Sequence, residues 1–255
     1  VCPSGALGYA APNTVDQGKR IRTLLQTYQR AGGRDAVLLI HSEGAGTRCV
    51  EALGRAAQTD ANIHGLPARV IPMPVWHTAS VGLDLWLAAL ALGANQVWVL
   101  MTDEEAPEYR QALAEQMAVG QAIMGGPGYR GSHLRTIEWA PPQGAPLGRA
   151  NAREWAPLDQ ALREPAAQGV SKASALAPQA DKRATLDLAV DHLVLMAPDA
   201  KHLLLAGATE AIPLPGEGSP FGSLQIDTHK CTLCLSCVGA CPEAALADNT
   251  EKPQL

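Results

Sequence analysis

Short unbroken apolar runs alternate along this chain with stretches whose apolar residues return every third or fourth position. Ile21, Leu24, Leu25 and Tyr28 follow the i, i+3, i+4, i+7 rule and predict a helix that Gly32 and Gly33 stop. Its other face carries Lys19, Arg20, Arg22 and Arg30, a solvated stripe. Three strand–helix units follow. Residues 36–42 read as a continuous apolar strand, and Cys49, Val50, Leu53 and Ala57 share one face of the helix behind it. Residues 68–75 predict a second strand. The next helix, residues 81–92, is apolar nearly all round and ends at Gly93, so it should be buried. Residues 96–102 predict a third strand. Its helix begins at Pro107, with Asp103, Glu104 and Glu105 complementing the dipole and Tyr109, Leu113 and Met117 as the inner stripe. Residues 133–139 predict a fourth strand. Apolar strands alternating with helices imply an α/β fold, a parallel sheet of about four strands with helices on both faces and right-handed crossovers.

The pattern changes after this series. Residues 141–180 are rich in Pro, Ala and Gly and read as a linker or wrapping segment, with a helix within 149–164. Leu186, Ala189, Val190 and Leu193 mark an amphipathic helix over 181–196, and residues 209–214 and 221–226 read as short strands. The expected organisation is a lead-in segment (1–33), a parallel α/β domain (34–140), the linker (141–180), a helix with a connecting segment (181–218), and a cysteine-bearing segment (219–255).

Composition narrows the class. With 255 residues, 47% hydrophobic and 18% charged, the chain is globular and can bury a full core. A net charge of −5 offers no basic field for nucleic acid. The longest apolar region, residues 81–101, is interrupted by Asp84, Gly93, Asn95 and Gln96 and reads as a helix followed by a strand, not as a membrane span. The chain opens on Val1, which fits a processed or excised piece, and no stretch resembles a secretion signal, so a reducing cytoplasm is the expected compartment.

The chemistry is concentrated in residues 231–242, where Cys231, Cys234, Cys237 and Cys241 are followed by Pro242 in the pattern C-x2-C-x2-C-x3-C-P. Thiolates every third residue in a short loop can hold three corners of a [4Fe-4S] cubane while the loop's amides turn toward the cluster. Structural zinc prefers two C-x2-4-C knuckles well separated in sequence, and these four cysteines leave no such gap. A disulfide framework belongs to small secreted chains, which this is not. At the other end, Cys2-Pro3-Ser4-Gly5-Ala6-Leu7 repeats the tail of the motif, Cys241-Pro242-Glu243-Ala244-Ala245-Leu246. Cys2 therefore reads as the fourth cysteine of another such motif. The fourth cysteine of this spacing ligates the other cluster where two are present, so Cys241 and Cys2 serve neighbouring clusters, or one of them completes the cluster of Cys231, Cys234 and Cys237.

In a parallel sheet, ligands sit beyond the carboxyl ends of the strands. Those ends offer His41, Ser42 and Glu43 with Gly44-x-Gly46, then Trp76 and His77, then Asp103 and Glu104. His41, His77 and Asp103 could hold a metal, and the glycines could admit a phosphate. The competing reading is polar capping of strand ends and helix starts. Cys49, on a helix's inner face, reads as a buried, inert thiol.

Two resemblances can now be stated. Residues 221–246 resemble a bacterial ferredoxin motif, and most of the chain, including D-K-R-A-T-L-D-L-A-V-D-H-L at 181–193, resembles a section of long proteobacterial 4Fe-4S-binding proteins in which ferredoxin motifs flank an α/β domain. Residues 36–124 are also similar to the iron–sulfur domain of the delta subunit of methyl-viologen-reducing hydrogenase. That family places cysteines at its strand ends and this chain does not, so the resemblance implies the fold without a cluster inside it. Together these resemblances imply an electron-transfer protein or subunit with a [4Fe-4S] cluster, a redox partner protein and further ferredoxin motifs. The alternatives are an oxidoreductase subunit whose α/β domain binds a flavin or nucleotide, and a structural module stapled by its cluster. No nucleophile–base pair is visible in the sequence.

Overall fold

The architecture is taken from a computed structural model that describes residues 13–139, 152–198, 212–216, 219, 221–222, 225–241, 246 and 248. The chain divides into two compact units, Val1–Ser219 and Pro220–Leu255.

In the first unit, helix α1 (Thr14–Arg30) leads to β1 (Val37–Ser42), α2 (Ala45–Thr59), β2 (Val70–Val75), a 3-10 turn (Thr78–Ser80), α3 (Leu83–Ala91), β3 (Gln96–Met101), α4 (Pro107–Gly125), β4 (Leu134–Glu138), α5 (Ala152–Ala161) and α6 (Lys182–Leu195). The four strands form one parallel sheet in the order β2-β1-β3-β4. The expected α/β architecture is therefore present, with each boundary of the strand series within two residues of the sequence reading.

The two sheet faces have different cores. Val37, Leu39, Trp98, Leu100 and Ile137 pack against Cys49, Ala52 and Leu53 of α2 and Trp155, Leu158 and Leu162 in and after α5. The rings of Trp139 and Trp155 stack at 4.4 Å, tying α5 to the end of β4. On the other face α3 is buried along its whole length. It lies under α6, which presents Leu186, Ala189 and Leu193. A helix covered on two sides has no solvent stripe to keep polar, which is why this one is apolar all round. Helix α1 also reaches α3 and buries Ile21 and Leu25. Its start is capped by Asn13, whose side chain accepts the amide of Val15 at 2.9 Å.

The stretch after α5 wraps the amino-terminal ends of the strands. Asn95 donates to Ala167 O at 2.8 Å, Gln96 to Pro165 O at 3.3 Å, and the Gln168 amide to Arg130 O at 2.8 Å. Arg69 bonds Glu164 O, and Arg135 pairs with the Glu164 carboxylate while its guanidinium lies 4.4 Å from the Trp98 ring centroid. Polar residues at the starts of three strands thus find partners in a segment that has no periodic pattern of its own.

Two expectations are corrected. Tyr109 does not belong to the inner stripe of α4: it is exposed, while Leu113 and Met117 are buried. It stands in the first turn, beyond the sheet's edge, where its ring packs 5.2 Å from His77. The described parts of the two short strands are not strand either. Residues 212–214, 221–222 and 225–226 lie outside any strand, and the rest of those stretches lies outside the described residues. Their β-branched and aromatic residues suit a strand, but among the described residues they pair with no edge.

Among the described residues, no helix is long and apolar enough to cross a membrane.

Candidate functional site

The order β2-β1-β3-β4 places its reversal between β1 and β3, the crevice where doubly wound sheets take ligands. Here the chain fills that crevice itself. Glu104 follows β3 and reaches the amino end of α2, where its carboxylate accepts the Ala45 amide at 2.8 Å and the Ser42 hydroxyl at 2.7 Å. Ser42 Oγ in turn accepts the Gly46 amide at 2.9 Å. Gly44 is required for this approach, because a Cβ there would stand 2.3 Å from the Glu104 carboxylate. Burial raises the Glu104 pKa, but the bonds from Ser42 and Ala45 and the charge of Arg48 outweigh it and hold the carboxyl below its ordinary range. The neighbouring Glu105 is buried and accepts Thr78 Oγ1 at 2.9 Å and the Thr102 amide at 2.7 Å. A negative group therefore already complements the α2 dipole.

The histidines at this end are likewise engaged. His41 is buried with Nδ1 3.0 Å from Ser42 O, and burial pushes its pKa down. His77 Nδ1 accepts the Ala79 amide at 3.1 Å. Asp103 is exposed. Among the described residues no three His, Cys, Asp or Glu side chains converge on the position of a single metal ion. Polar capping describes this end of the sheet. At the opposite end, an open depression of about 1070 Å³ is lined by Asn95, Tyr129, Arg130 and Gln168. Cys49 is fully buried on α2, and burial raises its thiol pKa to about 12, which keeps it in the thiol form at neutral pH.

The second unit is built around the cysteine loop. Asp227 opens it: its backbone carbonyl accepts the amides of Lys230 and Cys231 at 3.1 and 2.9 Å, and its side chain accepts the His229 amide at 3.0 Å. This turn fixes the approach to Cys231. Leu233 and Leu235, on either side of Cys234, have φ of 57° and 58°. A leucine held left-handed costs about 1–2 kcal/mol, so the loop keeps this shape against its own residues. Left-handed residues alternating along a turn bring N–H groups to one concave side, an arrangement found at phosphate and iron–sulfur sites. Among the described residues, the amides of 232–236 donate to no backbone carbonyl. A five-residue helix, α7 (Ser236–Ala240), carries Cys237 and ends at Cys241.

None of the four motif cysteines is in a disulfide; Cys231, Cys234 and Cys237 are exposed and Cys241 is half-buried. The Ser236 hydroxyl and amide and the Thr232 hydroxyl, all turned to Cys234 Sγ, bring that thiol down to about 7. A cubane spaces its thiolate ligands farther apart than one ion does, so thiols that do not crowd a single point suit a cluster. Thiol donors, amides that donate to no backbone carbonyl and open access fit a [4Fe-4S] group. Cys2 and Pro242 lie outside the described residues. Among the described residues of 220–255 none is buried. The sequence reading did not find Ser236, Thr232 or Asp227; an Asp four residues ahead of the first cysteine was the available hint.

Residues 224–247 match the 4Fe-4S binding domain family. No curated protein and no solved structure matches the chain. The matched segment spans the whole cysteine motif, so the chain carries a 4Fe-4S-binding segment and with it an iron–sulfur electron-transfer role.

Proposed function

We propose that this protein is an electron carrier, or the electron-transfer subunit of a redox complex, whose [4Fe-4S] cluster is held by Cys231, Cys234 and Cys237. The observation that carries this reading is the strained cysteine loop, with three exposed thiols and amides that make no backbone bonds. Bound there, the cluster supplies reversible one-electron chemistry. The chain's own residues do the rest. Asp227 sets the turn into the loop, the left-handed leucines turn the amides inward, and α7 carries the third thiol. Cys241, half-buried at the end of α7, and Cys2 serve neighbouring clusters, consistent with the roles of the fourth cysteine in this spacing.

The α/β unit positions the cluster-bearing segment or docks the redox partner. The Glu104 carboxylate at the switch point, bonded to the start of α2 where a flavin or nucleotide phosphate would otherwise sit, supports that role. The reducing cytoplasm suits exposed thiols of this kind.

The test is anaerobic purification or reconstitution with iron and sulfide. We expect a brown protein with a paramagnetic signal on adding dithionite, and loss or weakening of cluster binding in Cys234→Ser. Stoichiometric zinc without iron or sulfide would overturn the reading.

A further inference from the structure

The three exposed motif cysteines do not have equivalent surroundings. The Cys234 thiol donates to Ser236 Oγ at 3.3 Å, and a metal-bound thiolate, which has no proton, can only accept from that hydroxyl; the Thr232 hydroxyl also bonds this sulfur. Among the described residues no comparable hydroxyl contact reaches Cys231 or Cys237. Ser236 owes its place to the backbone: Leu235, left-handed at φ 58° and ψ 7°, is the N-cap of α7 and sets the direction of the helix's first residue. A leucine held in that region is a local cost, and what it delivers is a hydroxyl beside one sulfur.

We propose that Ser236 is a positioning residue that raises the reduction potential of the cluster by donating a hydrogen bond to the Cys234 sulfur. The inference rests on the ligand role of Cys234 proposed above. A hydroxyl proton aimed at a metal-bound thiolate withdraws negative charge from it. The reduced cluster carries one more negative charge than the oxidised one, so the bond strengthens on reduction and favours the reduced form. Hydrogen bonds to cluster sulfurs are among the few levers a protein has on such potentials. Here the lever acts on one corner of the cluster, that of Cys234.

The experiment is a redox titration of the full chain, wild type beside Ser236→Ala and Ser236→Thr, with iron and sulfide measured on each sample. We expect Ser236→Ala to keep its iron and sulfide and show a lower midpoint potential, and Ser236→Thr, which retains the hydroxyl, to return toward wild type. A loaded Ser236→Ala with an unshifted midpoint overturns the proposal, as does a Ser236→Thr shifted as far as the alanine variant. If Ser236→Ala does not load, the comparison moves to Ser236→Gly, which also lacks the hydroxyl. A lowered midpoint there supports the proposal, and an unshifted one overturns it. Wild-type protein that takes up no iron and sulfide overturns the electron-carrier reading, and this inference with it; a loaded wild type with unmoved variants overturns this inference alone.

Discussion

The Glu104 carboxylate accepts the Ala45 amide at 2.8 Å across a separation of 59 residues. One bond thus joins the carboxyl end of β3 to the amino end of α2, and it gives α2 the cap that Gly44, lacking a side chain, cannot provide. Replacing an N-cap acceptor costs about 1 kcal/mol. Glu104→Ala should therefore lower the stability of the first unit by roughly that amount, and Glu104→Gln, which retains one acceptor, by less. All five tryptophans of the chain lie within residues 76–155, so tryptophan fluorescence during urea unfolding reads this unit alone. An unchanged unfolding midpoint in Glu104→Ala would show that the bond does not cap the helix.

Acidity should act on the same unit in two stages. His41 and His133 are buried, and burial holds both pKa values below the ordinary histidine range. Each favours the neutral form in the folded state, so its stabilisation is complete above the unfolded pKa, about 6.5, and is lost as pH falls toward the folded value. Glu104 and Asp159 are also depressed: burial raises each, but bonds from Ser42 and Ala45 in one case and from Arg163 and His64 in the other outweigh it. Their contribution is present above the unfolded carboxylate range and lost as pH falls through the folded values. Asp84, raised by burial, works in the opposite sense and offsets part of the second loss. Urea midpoints should fall from neutral pH downward, first with the histidines and then with the carboxylates. A His41→Asn variant that leaves the first stage unchanged would remove His41 from the account.

Asp159 joins α5 to the loop after α2. Its carboxylate accepts the amides of His64 and Gly65, both at 3.1 Å, His64 Nδ1 at 2.9 Å and Arg163 Nη2 at 3.0 Å. Bonds to a charged, largely buried acceptor are worth about 1.5–3 kcal/mol. Asp159→Asn should destabilise the first unit by an amount in that range while leaving iron and sulfide uptake unaltered. Loss of cluster binding in a folded Asp159→Asn would show that the second unit depends on this clamp.

These particulars also show how far the sequence could be read. The strand–helix series was legible because its pattern is local: a period of two or of 3.6, closed by glycine, is written within each element. The cysteine loop was legible for the same reason, since its four thiols lie within eleven positions. Glu104, Asp159 and the strap after α5 were not legible. The Ala45 partner of Glu104 is 59 residues away and the His64 partner of Asp159 is 95 residues away, and nothing near Glu104 in sequence says which helix it caps. Tyr109 was misplaced because spacing on a helix does not tell where the sheet beneath it ends. The strands expected over 209–214 and 221–226 were read from residue preference alone, and their described residues pair with no edge.

Chelation should separate the two units. His41, His77 and Asp103 do not form a metal group, so fluorescence-detected unfolding of the full chain should have the same midpoint with and without a strong chelator. Iron, by contrast, should be lost from the second unit, which has no buried residue among those described and sits below the size at which a core suffices. A lower fluorescence midpoint with chelator would place a structural ion in the α/β unit after all.

The fourth cysteine decides how the cluster is completed. Cys231, Cys234 and Cys237 share an exposed loop, whereas Cys241 stands past α7 with an extended backbone, φ −82° and ψ 107°, and in half-buried surroundings. If Cys241 serves a neighbouring cluster, Cys241→Ala should keep the iron, sulfide and midpoint potential of the first cluster, because that thiol is no part of its ligand set. If instead Cys241 bends back as a local ligand, its removal opens one iron to solvent. That iron should then leave on mild oxidation, and the iron content should fall relative to sulfide. Cys2→Ala gives the complementary reading. The path between Cys2 and Cys231 is long, but closure entropy grows only with the logarithm of loop length, so chain length does not forbid Cys2 from completing this cluster. Iron lost in Cys2→Ala alone would make the α/β unit an insertion within a single ferredoxin module. Iron retained in both variants would leave the fourth position to a ligand from a partner motif, as the neighbouring-cluster reading requires.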